Sequence, residues 1–176
     1  MTVKTTSATE GFASEPSLER LQDERVGRRV VLTVLTLIVL AGAAGLLGVR
    51  SRTVSASAHG YDLSVTYATI TRSGLSTPWS FSVHRDGGFE GPVTVATTLD
   101  YFELFDENGL DPDPSAATID GDLLVWTFDP PEGETLSVAF DARLGPAVQT
   151  GKHATTVVLE SQTPVVEVSY DTRVMP

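Results

Sequence analysis

Residues 123–143 read LLVWTFDPPEGETLSVAFDAR, and this stretch decides the fold. Apolar and polar side chains alternate on both sides of a Pro- and Gly-containing turn at residues 130–133. A period of two, with apolar residues on one side, is typical of strands that cover a core on one face only. The stretch therefore predicts two β-strands joined by a turn.

The same alternation recurs through the rest of the chain after residue 53. The breaks between the alternating segments are rich in Gly, Pro and Asp, which favour turns, and none of the segments has a helical period. This spacing of short strands predicts an all-β fold, an immunoglobulin-like antiparallel sandwich over residues 60–176 with Trp79 and Trp126 in its core. The predicted strands are 60–68, 78–85, 92–98, 116–119, 123–129, 135–144, 154–160 and 164–174.

Three segments also carry a family resemblance. Residues 61–66 (YDLSVT), 126–128 (WTF) and 131–138 (PEGETLSV) resemble the opening strand, the tryptophan strand and the glycine turn of Ig-like repeat domains on bacterial surface proteins. The resemblance covers about residues 60–170, and it gives Gly133 the role of allowing the turn. It implies a spacer or adhesive module without a shared active site.

A second region, residues 30–49, reads VVLTVLTLIVLAGAAGLLGV and has no charged side chain. Twenty helical residues span about 30 Å, the thickness of the hydrocarbon core of a bilayer. Thr33 and Thr36, its polar side chains, can bond to carbonyl groups within the helix. The region predicts a transmembrane helix in contact with the lipid bilayer. The alternative is a cleaved signal peptide, because Ala41, Gly42 and Ala43 have the small-residue pattern of a cleavage site.

The charges beside this helix predict its orientation. Four arginines precede the helix closely and two follow it, and the more basic flank stays in the cytoplasm. Residues 1–29 are then a cytoplasmic disordered tail, with a helical stretch at 17–24, and 50–59 are a linker to an extracytoplasmic domain. The pairs Ala41 with Gly45 and Ala44 with Gly48 have the spacing of small residues that promotes helix–helix self-association.

Composition excludes several classes of function. The 176 residues include 12 Lys and Arg against 23 Asp and Glu, a net charge of −11, which argues against nucleic acid as a partner. There is no cysteine, the three histidines do not have the spacing of a metal pair, and no nucleotide or hydrolase motif occurs. Residues 106–113 combine acidic side chains with Gly109, but their spacing departs from a calcium loop and turn chemistry explains them equally well. We therefore expect no catalytic residue, cofactor or metal.

The longest connection between predicted strands is residues 99–114, and it holds the candidate partner-binding residues Tyr101, Phe102, Leu104 and Phe105. Aromatic side chains are enriched at interface hot spots, and the acidic residues around them would form a polar rim. The alternative is that these side chains cap the core.

The sequence thus predicts a non-enzymatic single-pass protein of the cell membrane. Its Ig-like domain would bind or support another surface or membrane protein. A transmembrane sensor subunit and an enzyme with a dispersed site are the alternatives.

Overall fold

The computed structural model of the chain describes residues 18–43, 48–106, 109–147 and 150–175. The chain divides into two compact units, residues 1–47 and 48–176. The first contains helix α1 (Leu18–Ala43), and the second contains the β-strands with one short helix.

Helix α1 is long and apolar enough to cross a membrane. Its segment Val26–Ala43 has a mean hydropathy of 1.8 and is not buried. A core helix of this composition would be covered, so a membrane span and a signal sequence are the two interpretations that fit. The hydroxyl of Thr36 donates to the carbonyl of Leu32 at 2.8 Å, which satisfies this side chain without water, as expected. Two of the small residues proposed for self-association, Ala44 and Gly45, lie outside the described residues, as do residues 1–17 of the predicted tail.

All eight strands predicted from alternation are present, and three more accompany them. The β unit consists, in chain order, of β1 (Arg50–Ala58), β2 (Tyr61–Arg72), β3 (Ser76–Arg85), β4 (Val93–Thr98), α2 (Leu99–Phe102), β5 (Phe105–Asp106), β6 (Leu110–Asp111), β7 (Ala116–Asp120), β8 (Leu123–Phe128), β9 (Thr135–Leu144), β10 (Lys152–Glu160) and β11 (Thr163–Met175).

Strand β1 corrects the prediction of a linker at residues 50–59. It pairs antiparallel with β2 along its whole length. The hydroxyl groups of Ser55 and Ser64 bond across the pair at 2.8 Å. On the other face, Val54 and Ala56 pack against the core. Because the inward side chains are small and the outward ones are hydroxyls, the alternation is too weak to predict this strand.

The strands form a curled sheet in the order β5-β9-β3-β2-β11-β10-β4-β8-β7, with β1 paired to β2 and β6 paired to β9. Neighbouring strands run antiparallel except β2 and β11, which are parallel where Ile70 lies opposite Arg173. The sheet is therefore mixed, and the prediction of a wholly antiparallel sandwich is wrong in this respect. Side-chain alternation reports which face a residue takes, but not the direction of its neighbouring strand.

Strand β11 joins the two halves of the sheet. Residues 163–172 pair with β10, and residues 173–175 pair with β2. The hydroxyl of Thr172 donates to the carbonyl of Ala68 at 2.7 Å, a bond between positions 104 residues apart.

The curl of the sheet brings β3 and β8 face to face across the core. The ring centroids of Trp79 and Trp126 are 5.9 Å apart, and those of Phe81 and Phe128 are 5.8 Å apart. Trp79 is 1% and Trp126 is 5% exposed, which confirms the prediction that both fill the core.

A chain of buried polar groups crosses the same core. The indole nitrogen of Trp79 donates to the Tyr170 hydroxyl at 2.9 Å, and that hydroxyl bonds to Thr156 Oγ1 at 3.0 Å. Thr156 Oγ1 bonds in turn to Thr97 Oγ1 at 3.1 Å. Burial raises the pKa of Tyr170 above its ordinary value, so the hydroxyl stays protonated in the folded protein. Because each group has a partner, the network fixes one arrangement of the core without the cost of an unpaired polar atom.

Candidate partner-binding site

The connection between β4 and β7 crosses the open side of the curled sheet. It leaves β4 through α2 and then forms the two short strands β5 and β6, which both pair with β9. It returns to the other side as β7, which pairs with β8. The connection thus runs between the edge formed by β9 and the edge formed by β8.

The structure separates the four candidate residues into two groups. Tyr101 is 0% and Leu104 is 2% exposed, so both belong to the core. The Tyr101 hydroxyl bonds to Thr172 Oγ1 at 2.8 Å, and burial raises the pKa of this tyrosine. These two side chains are part of the buried core, as the alternative interpretation expects.

Phe102 and Phe105 are half-buried and line an open pocket of about 590 Å³. The pocket lies between the two sheet edges, with Phe140 on β9 and Trp126 on β8 as opposite walls. Its described lining also includes Asp106, Gly109, Leu110, Pro114 and Leu124.

The aromatic rings hold one another in place. The centroid of the Phe102 ring lies 5.1 Å from that of the Trp126 ring, in an edge-to-face arrangement. It lies 5.3 Å from the centroid of the Phe140 ring. The Phe105 ring meets Phe140 edge to face at 5.6 Å. Edge-to-face contacts stabilise the arrangement of rings beyond the area they bury. The pocket is therefore a preformed apolar surface that remains accessible to solvent.

The surroundings of the pocket are acidic. Residues 99–122, which form the connection and the strand β7, contain acidic side chains and no Lys or Arg, and Arg143 on β9 lies opposite Asp106 in the pairing of β5 with β9. The ammonium group of Lys152 neutralises part of this charge, because it lies 3.3 Å from a carboxylate oxygen of Asp100 and 3.1 Å from one of Glu103. Within the part of the chain that the structure describes, no ion pair involves three exposed carboxylates of the connection, those of Asp106, Asp111 and Asp113.

The titratable groups do not converge on the pocket. Asp106 is the one titratable side chain among its described lining residues. The histidines lie elsewhere: His84 bonds to Thr135 and Asp86, and His153 bonds to Asp171. Among the described residues, no group of three or more His, Asp or Glu side chains is arranged to hold a metal ion. Two residues of the calcium hypothesis for 106–113, Glu107 and Asn108, lie outside the described part of the chain.

Sequence reasoning missed Phe140, Leu110 and Leu124 as parts of this site. Alternation places Phe140 on the inward face of β9, but an inward residue at the centre of a sheet would be buried. Its exposure follows from the pairing order, which puts β9 beside two strands of only two residues each. No signal within residues 135–144 carries that information.

No protein-family model matches the chain, and no curated protein matches it.

Proposed function

We propose that this chain is a single-pass membrane protein whose extracytoplasmic β domain, an Ig-like module, docks an apolar segment of another surface or membrane protein in the aromatic pocket. The observation that carries the proposal is the pocket itself. Accessible phenylalanines on a rigid scaffold offer large contact area at a low entropic cost, and such residues are over-represented among binding hot spots.

The alternatives have weaker support. An enzyme needs convergent polar or titratable groups around a bound substrate, and the described pocket lining offers one carboxylate at its rim. A sensor needs a means of passing a signal across the membrane in addition to a binding surface. Docking requires only the accessible apolar surface.

The proposal is tested by photo-crosslinking in the native membrane. A benzoylphenylalanine at position 105 reports contacts of the pocket, and the same probe at Leu75, which is 40% exposed and outside the pocket, is the matched control. We expect one discrete crosslinked product from position 105 and none from position 75.

A second pair of variants tests whether the pocket contributes to affinity. Phe105→Ser removes an aromatic wall, and Leu75→Ser removes an exposed apolar side chain outside the pocket. Phe105→Ser should lose the partner on purification in mild detergent while the protein stays folded, with a melting temperature lowered by the lost ring contact with Phe140. Retention of the same partner by folded Phe105→Ser protein would contradict the proposal.

A further inference from the structure

Strand β7 is an exposed edge of the sheet. All five of its residues are exposed, and within the described residues it pairs with β8 alone. Natural proteins protect such edges with Lys, Pro or a covering segment, because unpaired backbone groups invite another strand. The residues of β7, AATID, include neither Lys nor Pro.

The inward face of β7 is apolar and uncovered. Ala117 lies opposite Trp126 and Ile119 lies opposite Leu124 in the antiparallel register, so all four side chains share the core face. Ile119 is nevertheless 64% exposed. Trp126 and Leu124 also line the aromatic pocket, so the apolar surface continues from the pocket to the edge strand.

The charge around this edge has one sign. The hairpin from β7 to β8 contributes the exposed carboxylates of Asp120 and Asp122, and Asp113 is exposed in the segment that leads into β7. Residues 109–129 contain no Lys or Arg, and the exposed Arg143 lies across the pocket, opposite Asp106 in the pairing of β5 with β9. A segment that lies along β7 therefore meets an acidic surface, and a cationic segment is the complementary one.

We infer that the occupant of this site is an extended, basic segment of a partner protein, which adds to the free edge of β7 as a further strand. This inference rests on the proposed function and specifies the partner. Alternate side chains of an added strand point to one face. The apolar ones cover Ile119 and reach towards the aromatic pocket, and Lys or Arg side chains on the other face meet the carboxylates. Backbone hydrogen bonds between β7 and the added strand supply affinity, and the alternation of apolar and basic side chains along the added strand supplies specificity.

The test uses the full chain in an uncharged detergent and a fluorescein-labelled, end-capped peptide of alternating Lys and Val residues. Fluorescence anisotropy measures its affinity, with a peptide of alternating Glu and Val as the control for charge. We expect saturable binding of the Lys peptide, at least about tenfold tighter than that of the Glu peptide.

A pair of variants on one strand separates strand addition from general attraction. Ile119→Lys places an ammonium group on the inward face of the edge, and Thr118→Lys makes the same change of charge on the outward face. We expect Ile119→Lys to weaken binding about tenfold and Thr118→Lys to leave it within about threefold, with both proteins melting near the wild-type temperature. Equal effects of the two variants would overturn the inference.

N-methylated peptides test the backbone contacts directly. Successive amides of an extended peptide point to its two opposite edges, so one alternate set faces β7 and the other faces away. N-methylation of the amides that face β7 should abolish binding, and N-methylation of the amides that face away should preserve it. Equal binding of both sets, or no binding of the unmethylated peptide, would overturn strand addition. The crosslinking experiment at position 105 does not use these peptides. Its result therefore tests the proposed docking function even where the peptides overturn strand addition.

Discussion

Gly151 occupies a position where the backbone of β11 leaves no room for a side chain. A Cβ atom built there would overlap the carbonyl oxygen of Thr172 and crowd the Cα atom of Arg173. Neither neighbour can rotate away, because both atoms belong to the backbone of a paired strand. Gly151→Ala must therefore displace the start of β10 or the end of β11.

We expect Gly151→Ala to lower the free energy of unfolding by about 2 kcal/mol or more. Gly133→Ala is the matched control, because a Cβ at Gly133 has nothing within 4 Å and this glycine is not among those with positive φ. The role expected for Gly133 from the family resemblance is therefore not required by its backbone. Denaturant unfolding of the full chain in detergent measures both variants, and equal stabilities would contradict the close approach at Gly151.

The buried tyrosines make stability depend on pH in the alkaline range. Burial raises the pKa values of Tyr101 and Tyr170 above the ordinary value of about 10. The folded protein then keeps both protons while the unfolded chain loses them. The stabilisation of the folded state that comes from these raised pKa values is fully present below about pH 10. It is lost as the pH rises towards the pKa values of the folded state.

We expect the free energy of unfolding to decrease above about pH 10.5, by up to about 1.4 kcal/mol per pH unit from Tyr101 and with a further contribution from Tyr170. Tyr101→Phe removes one of the two titrating groups and should reduce this slope, although it also loses the bond to Thr172 and lowers stability at neutral pH. Melting curves between pH 8 and pH 11.5 make the comparison. Equal slopes for the wild-type and Tyr101→Phe proteins would show that Tyr101 does not contribute.

The candidate residues show how far single positions can be assigned from sequence. The four candidate side chains are apolar and lie within five positions, so their residue types do not distinguish buried from accessible ones. The short helix α2 ends at Phe102, so that Tyr101 points into the core and Phe102 points to the open side. A turn of helix with a strand on either side has no periodic signal of its own, which is why the sequence could not separate them.

Among the elements, the strands with strong alternation were predictable and the weaker ones were not. Strands β3, β8 and β9 have large apolar residues at every second position, which fixes both their existence and their inward face. Strand β1 has only Val54, Ala56 and Ala58 on that face. The two-residue strands β5 and β6 are too short for a pattern. They exist because β9 offers them an edge, which is a property of the assembled sheet.

At the scale of the whole molecule, the sequence divides into regions of different charge and hydropathy. Helix α1 contains residues 30–43 of the uncharged apolar segment, and the acidic chain from Gly48 onward contains the β-strands. The direction in which β11 meets β2 was not predictable, because it depends on contacts between residues about a hundred positions apart.

Membrane topology gives a prediction at this scale. Proteinase K added to intact cells should remove an epitope tag at the C-terminus and spare one at residue 1, because the more basic flank of the helix stays inside. Lysis before digestion is the control and should expose both tags. Protection of the C-terminal tag in intact cells would reverse the orientation, and a mature N-terminus near Ala44 would show that the helix is a cleaved signal peptide.

The position of β11 also orders the events of biosynthesis. Strands β1, β2 and β3 are consecutive and pair with one another, so they can associate before β11 is synthesised, and β7 and β8 can do the same. Backbone pairing between β2 and the half of the sheet that contains β10 has to wait for β11, which among the described strands is the one that pairs with both. A chain cut short after β10 would lack this pairing, and incompletely folded products of that kind are retained by chaperones and removed by proteases. Completion of the sheet is therefore tied to the synthesis of β11.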